Sequence, residues 1–191
     1  MKNQIKYIIV HHCGGIDSDP LFDTSNQSFE VVNEYHRQKW DFKSALGYYL
    51  GYQYYIDKSG KVTQARLDEE EGAHTIGYNK ESIGICLAGN FDLTMPTPEQ
   101  IKSLRELLLK KKKEYNILAS NILPHRHFAN KSCYGRNLSE DWARSLTYEI
   151  TQPAQSCQAE RDIIVRNDKE IASLKADKNN LLVFIRNLFR G

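Results

Sequence analysis

Apolar and polar residues alternate along the chain with two different periods, and the changes of period separate strands from helices. The apolar run Ile5–Val10 and the near-continuous apolar run Ser82–Gly89 are typical of buried strands. Apolar and polar side chains alternate over Gly51–Arg66 around a turn at Asp57–Gly60, which predicts a β-hairpin. A further short strand is predicted at Ile117–Leu123.

Helical patterns lie between these strands and after them. A helix is predicted from Ser28 to about Lys39, where apolar residues share one face. A second helix is predicted to begin at Thr97, because Pro98 suits the first helical position and Gln100 completes a capping box. Ser139 is the predicted N-cap of a third, short helix. Strands interleaved with helices predict an α/β fold.

The composition changes after Pro153, and this change predicts three segments. We predict a main domain over residues 1–152, a linker over 153–158 and an amphipathic helix over 159–191. A heptad pattern in this helix predicts a coiled coil that forms a homo-oligomer. An amphipathic helix that docks on its own domain, on a membrane or on a wall polymer is the alternative. The heptad core positions are Ile164, Asn167, Ile171, Leu174, Lys178, Leu181, Ile185 and Leu188.

Charge and hydropathy exclude two classes of partner. The formal net charge is only +2, so the broad basic field of a nucleic-acid-binding protein is missing. The longest apolar run, Leu181–Ile185, is far shorter than the ~20 residues that a transmembrane helix needs. Because Met1–Lys6 is polar and resembles no signal peptide, we expect synthesis in the cytoplasm.

Three side chains suggest a metal site. His125 and Cys133 flank Lys131 in a segment predicted to be a loop, and His11 ends the first predicted strand. A catalytic zinc ion takes three protein ligands from histidine and cysteine and leaves a fourth position open. Cys13 shares the strand face of His11 and is an alternative thiol ligand, since side chains two residues apart point the same way.

Other polar residues are expected to have structural roles. The acidic run Asp68–Glu71 is predicted to be a solvated loop, and the lysine run Lys110–Lys113 a solvated helix face. His36 and Cys86 are expected to be structural, on a helix and in a central strand respectively.

Five motifs follow one another along the chain, at Ile8–His12, Gly51–Tyr54, Gly72–His74, Ser82–Ile85 and His125–Cys133. Their order resembles that found in the zinc-dependent N-acetylmuramoyl-L-alanine amidases. This family contains phage lysozyme-type amidases and the peptidoglycan recognition proteins of animals. The resemblance covers roughly residues 5 to 150 and leaves the tail outside. It implies a central mixed β-sheet flanked by helices, with a groove for the bacterial wall polymer.

The resemblance also implies roles for individual residues. The zinc ligands of the family match His11, His125 and Cys133. Its catalytic tyrosine matches Tyr52 and its catalytic lysine matches Lys131. Two further matches, at His74 and Asn79, are expected to bind substrate in the groove. His12 and His127 are additional candidates for proton transfer, though a supporting or surface role is expected for each.

The implied activity is hydrolysis of the amide bond between N-acetylmuramic acid and L-alanine in peptidoglycan. The missing signal peptide favours a phage endolysin that reaches the wall after release. The alternative is a binding module of the same fold that does not cut, in which the cysteine ligand is typically lost. The sequence departs from the family at Cys13, which is usually serine or threonine, and at Tyr134, which is usually proline.

Overall fold

Five strands form one mixed sheet at the centre of residues 4–148, the part of the chain that this computed structural model describes. The sheet order is β3-β2-β4-β1-β5. Strands β2, β4, β1 and β5 run parallel and β3 is antiparallel to β2, which confirms the mixed sheet. The strands are β1 (Tyr7–His12), β2 (Tyr54–Ile56), β3 (Val62–Gln64), β4 (Ser82–Leu87) and β5 (Ile122–Pro124).

Two longer helices begin where the capping residues predict. Helix α1 (Phe29–Trp40) is capped by Ser28, and α2 (Pro98–Glu114) is capped by Thr97. The Thr97 hydroxyl accepts a hydrogen bond from the Gln100 amide at 3.1 Å, and the Gln100 side chain accepts one from the Thr97 amide at 3.1 Å. Helix α3 is short (Trp142–Ser145), and 3-10 turns cover Ala119–Asn121 and His125–His127.

Apolar side chains cover both faces of the sheet, and the period of two in β1 decides which face each residue joins. Ile8 and Val10 join the larger cluster, which also contains Leu104 of α2 and Ala143 of α3. His11 and Cys13 point to the opposite face, where the smaller cluster lies against α1. The smaller cluster contains Val32, Leu50, Tyr55, Ala65, Cys86 and Ala88. His11, the candidate metal ligand in β1, therefore lies on the face of the sheet that α1 covers.

The acidic run and the lysine run meet in the interior, so the prediction that both are solvated was wrong at one residue of each. Asp68 and Lys111 are buried and form an ion pair. Asp68 also accepts hydrogen bonds from the hydroxyls of Tyr54 at 2.6 Å and Tyr115 at 3.0 Å. Burial lowers the pKa of Lys111, but hydrogen bonds to Asp68 and Glu114 outweigh burial and raise it overall. Lys111 therefore keeps its charge in the interior because its hydrogen-bond partners outweigh the effect of burial.

Breaking this pair is expected to destabilise the fold. Lys111→Met should lower the free energy of unfolding by about 3 kcal/mol, since the charge of Asp68 would remain buried without its cation. Urea denaturation followed by circular dichroism measures the change. Lys113→Met is the matched control on the exposed face of α2 and should stay within about 0.5 kcal/mol of wild type. Equal stabilities of the two variants would refute a role for the pair.

The predicted linker and the predicted C-terminal helix lie outside the described residues. The domain boundary at residue 152, the coiled coil and the homo-oligomer therefore stay predictions. Within residues 4–148, no helix has both the length and the apolar composition to cross a membrane.

Candidate functional site

Three side chains that can bind a metal ion converge at one end of the sheet. His11 lies in β1, His125 opens the turn after β5, and Cys133 lies in the loop that follows. One ligand atom from each lies within 4.8 Å of the others. The Cys133 Sγ is 3.7 Å from the His11 Nδ1, and the rings of His11 and His125 have centroids 4.7 Å apart. Because β1 and β5 are parallel neighbours, their carboxyl ends bring these residues together.

Hydrogen bonds hold the loop that carries Cys133. The Arg126 amide donates to the Cys133 carbonyl at 2.6 Å, and the Arg126 guanidinium donates to the carbonyls of Gly135 and Leu138, each at 2.7 Å. Asp92 accepts from the Ser132 hydroxyl at 2.6 Å. The sequence does not predict these supporting roles, since contacts between distant segments leave no local pattern.

The protonation states of the three residues follow from burial. Burial lowers the pKa of His11 well below its ordinary value and lowers that of His125 to about 4, so both rings are neutral at pH 7. Burial also raises the pKa of Cys133 to about 12. A neutral imidazole can bind a metal directly, whereas the thiol must lose its proton, which a bound cation favours.

The geometry of the three residues fits zinc. Atoms bound to one tetrahedral zinc ion at roughly 2.0–2.3 Å lie roughly 3.5 Å from one another. The 3.7 Å between the Cys133 Sγ and the His11 Nδ1 is close to that spacing. Two histidines and one cysteine are also a ligand set that zinc accepts.

Cys13, the alternative thiol, lines the same groove but has its side-chain contacts outside this group. Its Sγ lies 3.5 Å from the Tyr55 hydroxyl and 3.9 Å from the Cys86 Sγ. Among the described residues, the potential metal-binding group contains His11, His125 and Cys133 without Cys13. The geometry therefore favours Cys133 as the thiol ligand.

Tyr52 lies beside the candidate ligands. Its ring centroid is 4.8 Å from that of His11, and burial raises the pKa of its hydroxyl well above the ordinary value. Gly51, the residue before Tyr52, is held by helix α1, because its amide donates a hydrogen bond to the His36 Nδ1 at 2.9 Å. His36 thus has a structural contact that places the turn before Tyr52.

A groove of about 670 Å³ opens beside the three candidate ligands. Lys131 is exposed at its rim, in the same loop as Cys133. Helix α1 supplies one wall, which contains Val31, Tyr35 and Trp40, all of which are partly exposed. Other lining residues include Cys13, Asp17, Lys39, Tyr52, His74, Thr75, Asn79, His125, Phe128 and Cys133.

The two residues predicted to bind substrate lie in one tight loop. The Asn79 Oδ1 accepts hydrogen bonds from the amides of His74 at 2.9 Å and Thr75 at 2.8 Å, so this oxygen closes the loop. The His74 ring is buried, with its Nδ1 3.1 Å from the His11 Nε2. Burial lowers the pKa of His74 to about 3, so its ring is neutral. Substrate binding by either residue stays a prediction.

The two additional histidines make contacts of their own. The His12 Nδ1 accepts a hydrogen bond from the Phe91 amide at 2.9 Å in the interior. The His127 Nδ1 lies 3.1 Å from the Glu140 Oε1 at the surface. These contacts are consistent with the supporting and surface roles expected for the two residues.

Comparisons with known proteins agree with this arrangement. A family model described as N-acetylmuramoyl-L-alanine amidase matches residues 1–136. The endolysin of Klebsiella phage KP32 is 32% identical over 101 residues, which are 50% of this chain and 66% of that protein. Peptidoglycan-recognition protein 2 of Holotrichia diomphalia is 28% identical over 104 residues, 54% of this chain and 52% of that protein. The chain thus spans only part of the length of these relatives.

A solved structure shares the fold. The N-acetylmuramoyl-L-alanine amidase LysC from Clostridium intestinale URNW superimposes with a TM-score of 0.62 at 25% identity. The match covers 75% of this chain and 85% of that one. The family model covers the segment that carries all three candidate ligands, and the chain belongs to the N-acetylmuramoyl-L-alanine amidase family.

Proposed function

We propose that this protein is a zinc-dependent amidase that cuts the bond between N-acetylmuramic acid and L-alanine in bacterial peptidoglycan. The observation that carries the proposal is the convergence of His11, His125 and Cys133 beside an open groove. Membership of the N-acetylmuramoyl-L-alanine amidase family supports the identity of the bond that we propose is cut. The match to a phage endolysin supports a role in host lysis, at the cell wall after release.

His11, His125 and Cys133 would hold the zinc ion. When bound, zinc supplies an activated water at neutral pH and polarises the carbonyl that is attacked. The protein residues must then orient the amide and stabilise the charge that develops on its oxygen.

Lys131 is suited to charge stabilisation. It is exposed, lines the groove and lies in the same loop as Cys133, so we expect its side chain to reach a carbonyl next to the metal ligands. A cation fixed beside the developing oxyanion stabilises the transition state more than the ground state. We assign this role to Lys131.

Tyr52 is suited to hydrogen bonding at the same place. Its ring lies against His11, and its hydroxyl keeps its proton because burial raises its pKa. A protonated phenol can donate a hydrogen bond to the oxyanion, or orient the attacking water. Tyr52 therefore complements Lys131 from another wall of the groove.

The groove fits a substrate with both apolar and polar groups. Its volume of about 670 Å³ lies within the range of roughly 300–1,000 Å³ that is typical of ligand sites. The partly exposed Trp40 and Tyr35 offer flat apolar surfaces on the α1 wall, while Asp17 and Lys39 add charge. A sugar joined to a short charged peptide has this mixed character.

Digestion of purified sacculi tests the proposal. We expect new alanine N-termini to appear with the full chain, to disappear with a chelator and to return when zinc is added. Labelling of free amines followed by mass spectrometry identifies the residue at each new terminus. Sacculi that bind the zinc-loaded protein and stay uncut would refute the amidase and favour a binding module.

A further inference from the structure

The ring of His11 has a different neighbour at each nitrogen. Its Nδ1 is 3.7 Å from the Cys133 Sγ, on the side of the candidate metal ligands. Its Nε2 is 3.1 Å from the His74 Nδ1, in the interior. The rings of His11 and His74 are nearly perpendicular, at 85°, with centroids 5.1 Å apart. The nitrogen that could bind metal and the nitrogen that meets His74 are therefore distinct.

The protein is built closely around the His74 ring. A Cβ atom at Gly84 would lie 2.6 Å from the His74 Cδ2, and one at Gly72 would lie 2.5 Å from the same atom. Two glycines thus provide the space that the ring occupies. The His74 amide is held by Asn79, and the side chain is only 8% exposed. His74 is consequently fixed in place and points at His11 with little access to a substrate.

The positions of the protons follow from this geometry. If His11 binds metal through Nδ1, its own proton must be on Nε2, which then donates to the His74 Nδ1. The proton of His74 must in turn be on its Nε2, a buried atom without a hydrogen-bond partner among the described residues. The Thr75 hydroxyl, 3.0 Å from the His74 Nδ1, would then share the one lone pair of that nitrogen with the His11 Nε2.

The opposite arrangement conflicts with metal binding. If the His74 Nδ1 carried the proton and donated it to the His11 Nε2, the proton of His11 would be on Nδ1. That proton would occupy the side of the ring that faces Cys133. Only one tautomer of each ring therefore serves a metal ion at Nδ1.

We propose that His74 is a positioning residue, which fixes the tautomer and the orientation of His11 so that His11 Nδ1 is free to bind zinc. This inference rests on the metal site of the proposed function, and it replaces substrate binding as the role of His74. Partners that accept a hydrogen bond from a metal-bound histidine typically raise metal affinity about 10–100-fold.

Zinc affinity of two variants tests the inference. His74→Leu keeps a side chain of similar size and removes the acceptor, so we expect zinc to bind about 10–100-fold more weakly in competition with a chromogenic chelator. His74→Asn places an amide oxygen near the position of the Nδ1 and should recover much of the affinity. Wild-type affinity in His74→Leu would overturn the inference, and so would an equal loss in both variants.

A measurement on the wild-type protein does not depend on the folding of any variant. Long-range proton–nitrogen NMR of the zinc-loaded protein, with labelled histidine, distinguishes metal-bound from protonated ring nitrogens. We expect His11 to bind through Nδ1 and to carry a proton on Nε2. Zinc bound at the His11 Nε2 would overturn the inference.

The two proposals fail in different ways. Wild-type protein that takes up no zinc would overturn the metal site, and the role of His74 with it. Zinc-loaded protein that leaves sacculi uncut would overturn the amidase proposal alone, and the affinities of the variants would still decide the role of His74.

Discussion

Replacement of Cys133 with alanine is expected to abolish both zinc binding and hydrolysis while the protein stays folded. The change removes the one thiolate from the ligand set and leaves two neutral histidines. Hydrolysis of sacculi should fall on the order of 10³-fold or more, because zinc lowers the pKa of its bound water from about 15.7 to about 7. Zinc content by atomic emission, release of alanine N-termini and circular dichroism measure the three properties.

Cys13→Ala is the matched control for this variant. Cys13 lies in the same region, but its Sγ contacts Tyr55 and Cys86 instead of the candidate ligands. We expect Cys13→Ala to retain zinc and activity. The reverse result, with zinc lost in Cys13→Ala and retained in Cys133→Ala, would show that the other thiol binds the metal. A Cys133→Ala protein that unfolds would indicate a structural zinc site instead of a catalytic one.

Local patterns explain why the sequence predicted the main elements. Side chains of a strand alternate between its two faces, so within Ile8–His12 the residues that face the larger core lie on the side opposite to His11. Strand geometry alone is enough to predict this arrangement. The capping box at Thr97 and Gln100 fixes the start of α2 through contacts only three residues apart. Such features depend on neighbours in the sequence and can therefore be recognised without a structure.

Long-range pairing explains what the sequence did not predict. Asp68 and Lys111 each lie in a run of like charges, which resembles a solvated surface, and their partnership exists only after the fold brings α2 beside the loop. His74 is similar, because its contact with His11 depends on space left by Gly84 in a neighbouring strand. The resemblance located His74 near the groove but did not define which atoms it touches.

Replacement of Lys131 with methionine is expected to lower kcat by about 10²–10³-fold and to leave zinc affinity unchanged. Lys131 lines the groove beside the candidate ligands His125 and Cys133 and is not itself one of the proposed ligands. Its proposed interaction forms only as charge develops on the carbonyl oxygen, so KM should change little. Steady-state kinetics on a soluble muropeptide, together with chelator competition for zinc, measure these quantities.

Lys113→Met separates this effect from a general loss of positive charge. Lys113 is exposed on α2 and does not line the groove, so this variant should keep the kcat and KM of wild type. Lys131→Arg keeps a cation with a different shape and should recover part of the lost kcat. If Lys131→Met instead raised KM with kcat unchanged, Lys131 would bind the ground state and the transition state equally, and the proposed role in charge stabilisation would be wrong.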